Sequence, residues 1–150
     1  MKQDPKTEKL ESVLKSSHIV AHGFMGDDKR HINEIIEADI MALEKLGLDV
    51  ENLAQRMQQI TDQAIKGLGS WVKINDNLSS RVDEAKGAIV CPWPHAGKFV
   101  KRITILKNEV TGLSISWSDL SIHMIKEHCF FEGKGSMLRV EPEMLVDMIF

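Results

Sequence analysis

The sequence predicts an α+β fold in which an N-terminal three-helix region packs with a small, mainly antiparallel sheet that contains an inserted helix. Over the first 70 residues, apolar side chains recur every three or four positions, which is typical of amphipathic helices. From Trp71 onward, parts of the chain alternate with a period of two, as strands with one buried face do. A chain of 150 residues fits a single domain, 1–150, with a helical part of about 6–69 and a sheet-containing part of about 70–150.

Three helices are predicted in the helical part. The first covers residues 6 to 22 and stops at Gly23. Asp27 is the expected N-cap of the second helix, which Gly47 ends, and Asp49 is the expected N-cap of the third. The apolar stripes of these helices exceed what a small sheet readily covers. We therefore expect a homodimer with a helical interface.

The sheet-containing part shows its clearest strand pattern at residues 113 to 117, where apolar side chains alternate with serine. We expect this strand to pair with residues 99–107 across the turn NEVTG. The remaining predicted strands are 72–75, 78–85 and 137–140.

Two further helices are predicted after that hairpin. Ser118 is the expected N-cap of a helix that runs to about Phe131, with Gly133 in the position that follows a helix end. Pro142 suits the first turn of a short C-terminal helix.

Composition and charge exclude several classes of protein. The formal charge of −3 and the pI of about 6.1 argue against a surface built for nucleic acid or anionic lipid. No apolar run is long enough for a membrane span, and the N-terminus lacks the apolar core of a signal peptide, so we expect a cytoplasmic protein. In that compartment the two cysteines are expected to be free thiols.

The strongest candidate site is a metal site formed by Cys91, His95 and His128. Thiolates and imidazoles are ligands of zinc and other divalent transition metals, and the Pro92-Trp93-Pro94 turn would hold Cys91 and His95 in a fixed relation. Five residues separate His123 from His128, so on a regular helix they point about 140° apart. We therefore expect at most one of them to join the loop, and His128, at the fraying helix end, is favoured. The alternative is structural, with a buried cysteine and a histidine beside the helix dipole.

A second candidate site would hold a small anionic ligand through His123, Lys134 and Arg139. The loop EGKGS places two glycines around Lys134, and such loops can turn backbone N–H groups toward an anion. The spacing is not that of a P-loop, and the end of a helix carries the wrong sign of dipole for phosphate. Gly133 as a helix stop explains most of this loop without a ligand.

Two weaker candidates are a second histidine group and a basic stretch. His18 and His22 share a helix face and could approach His31 and Glu34, but solvated or capping histidines account for these positions better. Residues 85 to 108 contain five basic side chains and no acidic one. The charges of strand 99–107 fall on both faces, which favours a guarded edge strand over a nucleic-acid platform.

These observations favour a small cytoplasmic binding module that holds a metal ion or a small anionic ligand. One alternative is a thiol- or histidine-dependent enzyme, which needs a reactive cysteine beside a base. The other is a non-catalytic oligomeric interaction protein in which the histidines are structural.

Overall fold

A computed structural model describes residues 4–16, 23–95 and 97–150 and confirms the α+β class. These residues form five helices and a four-stranded antiparallel sheet. The helices are α1 Pro5–Lys15, α2 Ile32–Lys45, α3 Val50–Ile65, α4 Asp119–His128 and α5 Pro142–Ile149. The strands are β1 Val72–Lys73, β2 Leu78–Val90, β3 Lys98–Asn108 and β4 Ser114–Ser118.

Helix α1 is shorter than predicted. It ends at Lys15, where the Ser16 N–H bonds to the carbonyl of Val13, and residues 17 to 22 lie outside the described part of the chain. The predicted N-cap of α3 and the predicted position of Pro142 in the last helix are confirmed. Asp49 accepts a hydrogen bond from the Asn52 N–H at 2.8 Å, and Pro142 occupies the first turn of α5.

The predicted start of α2 at Asp27 is wrong. The helix begins at Ile32, whose N–H donates to the carboxylate of Glu11 at 2.6 Å, so the cap comes from α1 and not from a neighbouring residue. The N–H of Asp27 bonds instead to the carbonyl of Lys134. A local capping motif therefore could not have located this helix start.

The sheet has the order β1-β2-β3-β4, and the predicted hairpin is confirmed as β3 and β4. Strand β2 runs five residues beyond its predicted end and carries an irregularity between Ala85 and Ala88, where Gly87 has a φ of 99°. The edge-strand interpretation of residues 99–107 is wrong for 103–107, which pair with strands on both sides.

The strand predicted at 137–140 is also wrong, because this segment is a turn followed by irregular chain. Side-chain contacts, and not a strand ladder, hold this segment in position. The guanidinium of Arg139 donates to both carboxylate oxygens of Asp39, at 2.6 and 2.8 Å.

Two clusters of buried side chains fill the interior. In the larger one, α3, α4 and α5 cover one face of the sheet around Trp117, whose exposure is 0%. Its indole N–H donates to Thr61 Oγ1 at 2.9 Å, and Thr61 shares a second hydrogen bond of 2.7 Å with Thr104. The smaller cluster joins α1, α2 and α4 and includes Cys91 and Phe130. The candidate site lies against this smaller cluster.

The apolar stripes of α2 and α3 are covered within the chain. Ile35, Leu43 and Ile60 have exposures of 0 or 1%. The observation that motivated a dimer with a helical interface therefore does not hold, and association of two copies stays a prediction. Among the described residues, no helix combines the length and apolar character needed to cross a membrane.

Candidate metal centre

The loop that follows β2 presents two of the candidate ligands. Cys91 comes directly after the strand and packs into the smaller cluster with an exposure of 5%, whereas His95 is exposed. The Pro92 and Pro94 rings restrict the backbone between them. The N–H of His95 folds back onto the carbonyl of Trp93 at 2.8 Å, so the loop is short and tightly turned.

Helix α4 presents the other candidates, His123 and His128. Its start is confirmed at Ser118, whose Oγ accepts from the Ser121 N–H at 2.9 Å in a capping box. The helix ends at His128 because Cys129 adopts the left-handed conformation, with φ of 55°. His128 is thus the last helical residue, five positions or about 1.4 turns beyond His123.

The prediction that Gly133 terminates this helix is wrong. Its N–H donates to the carbonyl of Phe24 at 2.8 Å, and a Cβ at this position would lie 2.2 Å from the Met25 carbonyl oxygen. A glycine is needed here because two backbone segments approach closely.

Four side chains converge where the loop meets α4. The group comprises Cys91, His95, His123 and His128, and one potential ligand atom from each lies within 4.8 Å of all the others. His95 Nε2 is 3.1 Å from His123 Nε2 and 3.2 Å from His128 Nε2. The Sγ of Cys91 is 3.5 Å from His128 Nε2.

These separations match those of ligands around a tetrahedral zinc ion. With Zn–N distances of about 2.0 to 2.1 Å and Zn–S of about 2.3 Å, tetrahedral angles place nitrogen atoms roughly 3.3 Å apart and nitrogen and sulfur roughly 3.6 Å apart. Three of the six pairs in this group are within a few tenths of an ångström of those values, and the other three lie within 4.8 Å. The group could therefore hold a metal ion.

The prediction that at most one of His123 and His128 joins the loop is wrong. The 140° separation applies to the directions in which the two residues leave the helix axis. The ring nitrogens lie at the far ends of side chains that rotate about two torsions, and the rings meet with centroids 5.2 Å apart. His95 lies within reach of both rings. His123, predicted as an anion ligand, therefore belongs with the metal candidates.

Aromatic neighbours fix the orientation of the rings. Trp93 stacks on His128 with a centroid distance of 4.1 Å and an interplanar angle of 7°, and its edge contacts Phe130. Phe99 packs against His123 at 4.5 Å. The arrangement is thus supported from two sides by side chains that cannot themselves ligate a metal.

The site favours uncharged imidazoles. Burial, together with the neighbouring rings of His123 and His95, lowers the pKa of His128 to about 4, and Glu127 acts in the opposite direction. The pKa of His123 is lowered by burial and by His95. Burial raises the pKa of the Cys91 thiol. At neutral pH, the lone pairs of His123 and His128 are therefore available to a cation.

The other predicted ligand residues have different contacts. Arg139 is bound to the carboxylates of Asp39 and Glu141 and to the carbonyl of Glu132. Lys134 lines a separate surface hollow with Asp28, whose carboxylate accepts from the Lys134 N–H. The structure does not bring either residue to the cluster of Cys91 and the three histidines.

The second histidine group is only partly described. His18 and His22 lie outside the described residues. His31 precedes α2, and its Nδ1 lies 3.3 Å from the Glu11 carboxylate. Cys129 does not belong to the four-residue group and is free, as expected.

Comparison with family models, curated proteins and solved structures gives no match for this chain. Functional assignment therefore depends on the geometry of the site itself.

Proposed function

We propose that this protein binds a divalent transition metal, zinc in the first place, through Cys91, His95, His123 and His128. The observation that carries the proposal is the convergence of three imidazole nitrogens and one sulfur from two separate elements. One thiolate with three neutral imidazoles is a donor set suited to zinc, and cobalt(II) is a suitable substitute probe.

Hydrogen bonding among the rings explains the arrangement less well than a metal does. A neutral imidazole offers at Nε2 either one hydrogen or one lone pair. His95 Nε2 lies within 3.2 Å of two other Nε2 atoms and can therefore satisfy only one of them from that position. A cation placed between the rings would accept all three lone pairs at once.

A metal also fits the electrostatics better than an anionic ligand does. An anion would need protonated rings or a nearby guanidinium or ammonium group. The pKa of His128 is lowered to about 4, and Arg139 is engaged with carboxylates elsewhere. We therefore do not extend the anionic-ligand interpretation to this site.

Four protein ligands would complete a tetrahedral coordination shell, which is the arrangement of structural zinc sites. The metal would connect the loop after β2 to the end of α4. A thiol enzyme is less favoured, because burial raises the pKa of Cys91 and a nucleophilic cysteine needs a lowered one. The oligomeric interaction protein stays an untested alternative.

The first experiment measures metal content and its effect on stability in the purified full chain. We expect about one equivalent of bound zinc, and a lower melting temperature after chelation that zinc restores. Cobalt(II) should give a thiolate-to-metal charge-transfer band in the near ultraviolet. If the protein carries no metal and neither zinc nor chelator changes its melting temperature, the proposal is wrong.

The two cysteines provide a matched pair of variants. Cys91→Ser should abolish the cobalt charge-transfer band, because it removes the only sulfur of the proposed site. Cys129→Ser should retain the band, since this cysteine lies outside the group. A band that persists in Cys91→Ser, or that is lost only in Cys129→Ser, would show that the metal binds elsewhere.

A further inference from the structure

A cavity of about 400 Å³ lies between the outer part of the β2–β3 hairpin and residues 132–138. Its lining is mainly apolar and includes Phe24, Ile89, Val100, Ile103, Leu120 and Leu138. Small-molecule sites are typically of this size and character, with a few polar groups that fix the ligand's orientation.

The polar group most deeply placed in this lining is the side chain of Glu132. Its exposure is 4%, and Oε1 accepts a hydrogen bond of 2.5 Å from Ser136 Oγ. Burial raises the pKa of Glu132 to about 7, while hydrogen bonds from Ser136 and Ser121 and the charge of Arg139 act in the opposite direction. Glu132 is not one of the four residues of the proposed metal site.

The backbone at Glu132 is unusual as well. Its φ of 70° lies in the left-handed region, which residues with a Cβ rarely adopt. Arg139 holds this conformation by donating to the Glu132 carbonyl at 2.7 Å. Strained backbone that the surrounding structure enforces is found preferentially at ligand sites.

The charged groups around the cavity favour a cationic ligand. Asp83, Glu84, Lys101 and Arg102 also line it, and Asp83 is paired with Arg81. The guanidinium of Arg102 bonds to two carboxylates, those of Glu84 and Asp119, each at 2.9 Å. With Lys101, the lining has two basic side chains against the carboxylates of Asp83 and Glu84, so these charges balance before Glu132 is counted. An ionised Glu132 adds a further negative charge inside the apolar lining.

We propose that this cavity binds a small apolar primary amine, with the ammonium group on the Glu132 carboxylate and the hydrocarbon against Ile89, Ile103 and Leu120. The ammonium would supply the charge partner that a buried carboxylate requires. The lining of this cavity contains none of the four proposed metal ligands, so this inference goes beyond the proposed function and does not depend on it.

The test is calorimetric titration of the full chain at pH 8 with three probes of equal length: hexylamine, hexanol and hexanoate. We expect hexylamine to bind at least tenfold more tightly than either of the others. Equal or tighter binding of hexanoate, or no measurable binding of hexylamine, would overturn the proposal.

Two variants separate the contribution of the Glu132 carboxylate to hexylamine binding from that of the cavity lining. Glu132→Gln keeps the shape and an acceptor for Ser136, so hexylamine should lose its advantage over hexanol. Val100→Trp places a large side chain at a half-exposed position of the lining and should weaken both probes without touching Glu132. If Glu132→Gln does not fold, the Val100→Trp result decides: unchanged hexylamine binding would contradict the proposed location.

The pH dependence provides an independent readout. The amine requires ionised Glu132, so its affinity should fall about tenfold from pH 8 to pH 6, as the carboxyl takes up its proton near pH 7. Hexylamine itself stays protonated over this range. An affinity that is constant or rises toward pH 6 would exclude Glu132 as the partner.

Discussion

Two groups of converging polar side chains, one in the larger buried cluster and one beside the smaller, show different relations to their surroundings. Thr61, Thr104 and Trp117 meet at the sheet, and each polar atom of this trio has a hydrogen-bond partner. In the group of Cys91, His95, His123 and His128, the Nε2 of His95 lies within 3.2 Å of both other Nε2 atoms, and it can make a regular hydrogen bond to only one of them from that position. The first group is complete within the protein, as a stabilising network must be. A cation could complete the second.

The largest effect should come from supplying that cation. Zinc at about 1,000 times its dissociation constant should raise the free energy of unfolding by about 4 kcal/mol, because it binds the folded chain. Cys91→Ser should lose most of this gain at the same zinc concentration. Denaturant unfolding with and without zinc measures the increase in unfolding free energy for the wild type and for the variant. An equal increase in Cys91→Ser would show that zinc does not stabilise the fold through this group.

Glu132 should give the next largest effect, through pH. Its pKa is about 7 in the folded chain against 4.5 for an ordinary glutamate, so folding favours the protonated form. The resulting stability is fully present below pH 4.5 and is lost as pH rises through 7. The loss should total about 3 kcal/mol. Denaturant unfolding at several pH values should show this loss in the wild type. If the unfolding free energy of Glu132→Gln depends on pH as steeply as that of the wild type, Glu132 is not its source.

A smaller effect is expected from the group that is already complete. Thr61→Val removes the hydroxyl shared by Trp117 and Thr104 and leaves two buried polar groups without their partner. We expect a loss of about 2 kcal/mol in unfolding free energy, with zinc affinity unchanged. A parallel loss of zinc affinity would mean that the two groups are coupled and do not behave independently.

The smallest effect should follow from altering a supporting ring. Trp93→Phe keeps an aromatic face against His128 but reduces the stacked area. Zinc affinity should fall by about tenfold, at the low end of the range found for residues that orient metal ligands. Competition titration against a chromophoric chelator measures the change. A loss as large as that of Cys91→Ser would show that Trp93 holds the loop itself in place.

The sequence predicted correctly those helices and strands whose positions depend on residues nearby in the chain. The hairpin followed from the alternation in residues 113 to 117, and the helix starts at Asp49 and Ser118 followed from side chains that cap their own helices. The start of α2 was predicted wrongly because its cap, Glu11, lies 21 residues before Ile32 in the chain. Local capping patterns carry no information about such a distant partner.

The candidate site was only partly accessible from sequence for a similar reason. Cys91, His95 and His128 were identified from residue type and from the rigid loop. His123 was assigned elsewhere because an angle between helix positions was taken as an angle between ring nitrogens. The carboxyl of Glu132 gave no signal, because its burial results from the packing of residues 132–138 against a hairpin distant in sequence.

The separation of Cys91 and His128 along the chain has a consequence for folding. The two residues are 37 positions apart, and the segment between them contains β3, β4 and all but the last residue of α4. A metal held at both ends would close this segment into a loop, as a disulfide does. By the chain-entropy relation for disulfides, closure of a loop of this length restricts the unfolded ensemble by about 4 kcal/mol. The ion would then act as a reversible cross-link, present or absent according to metal supply and not to the redox state of a second cysteine.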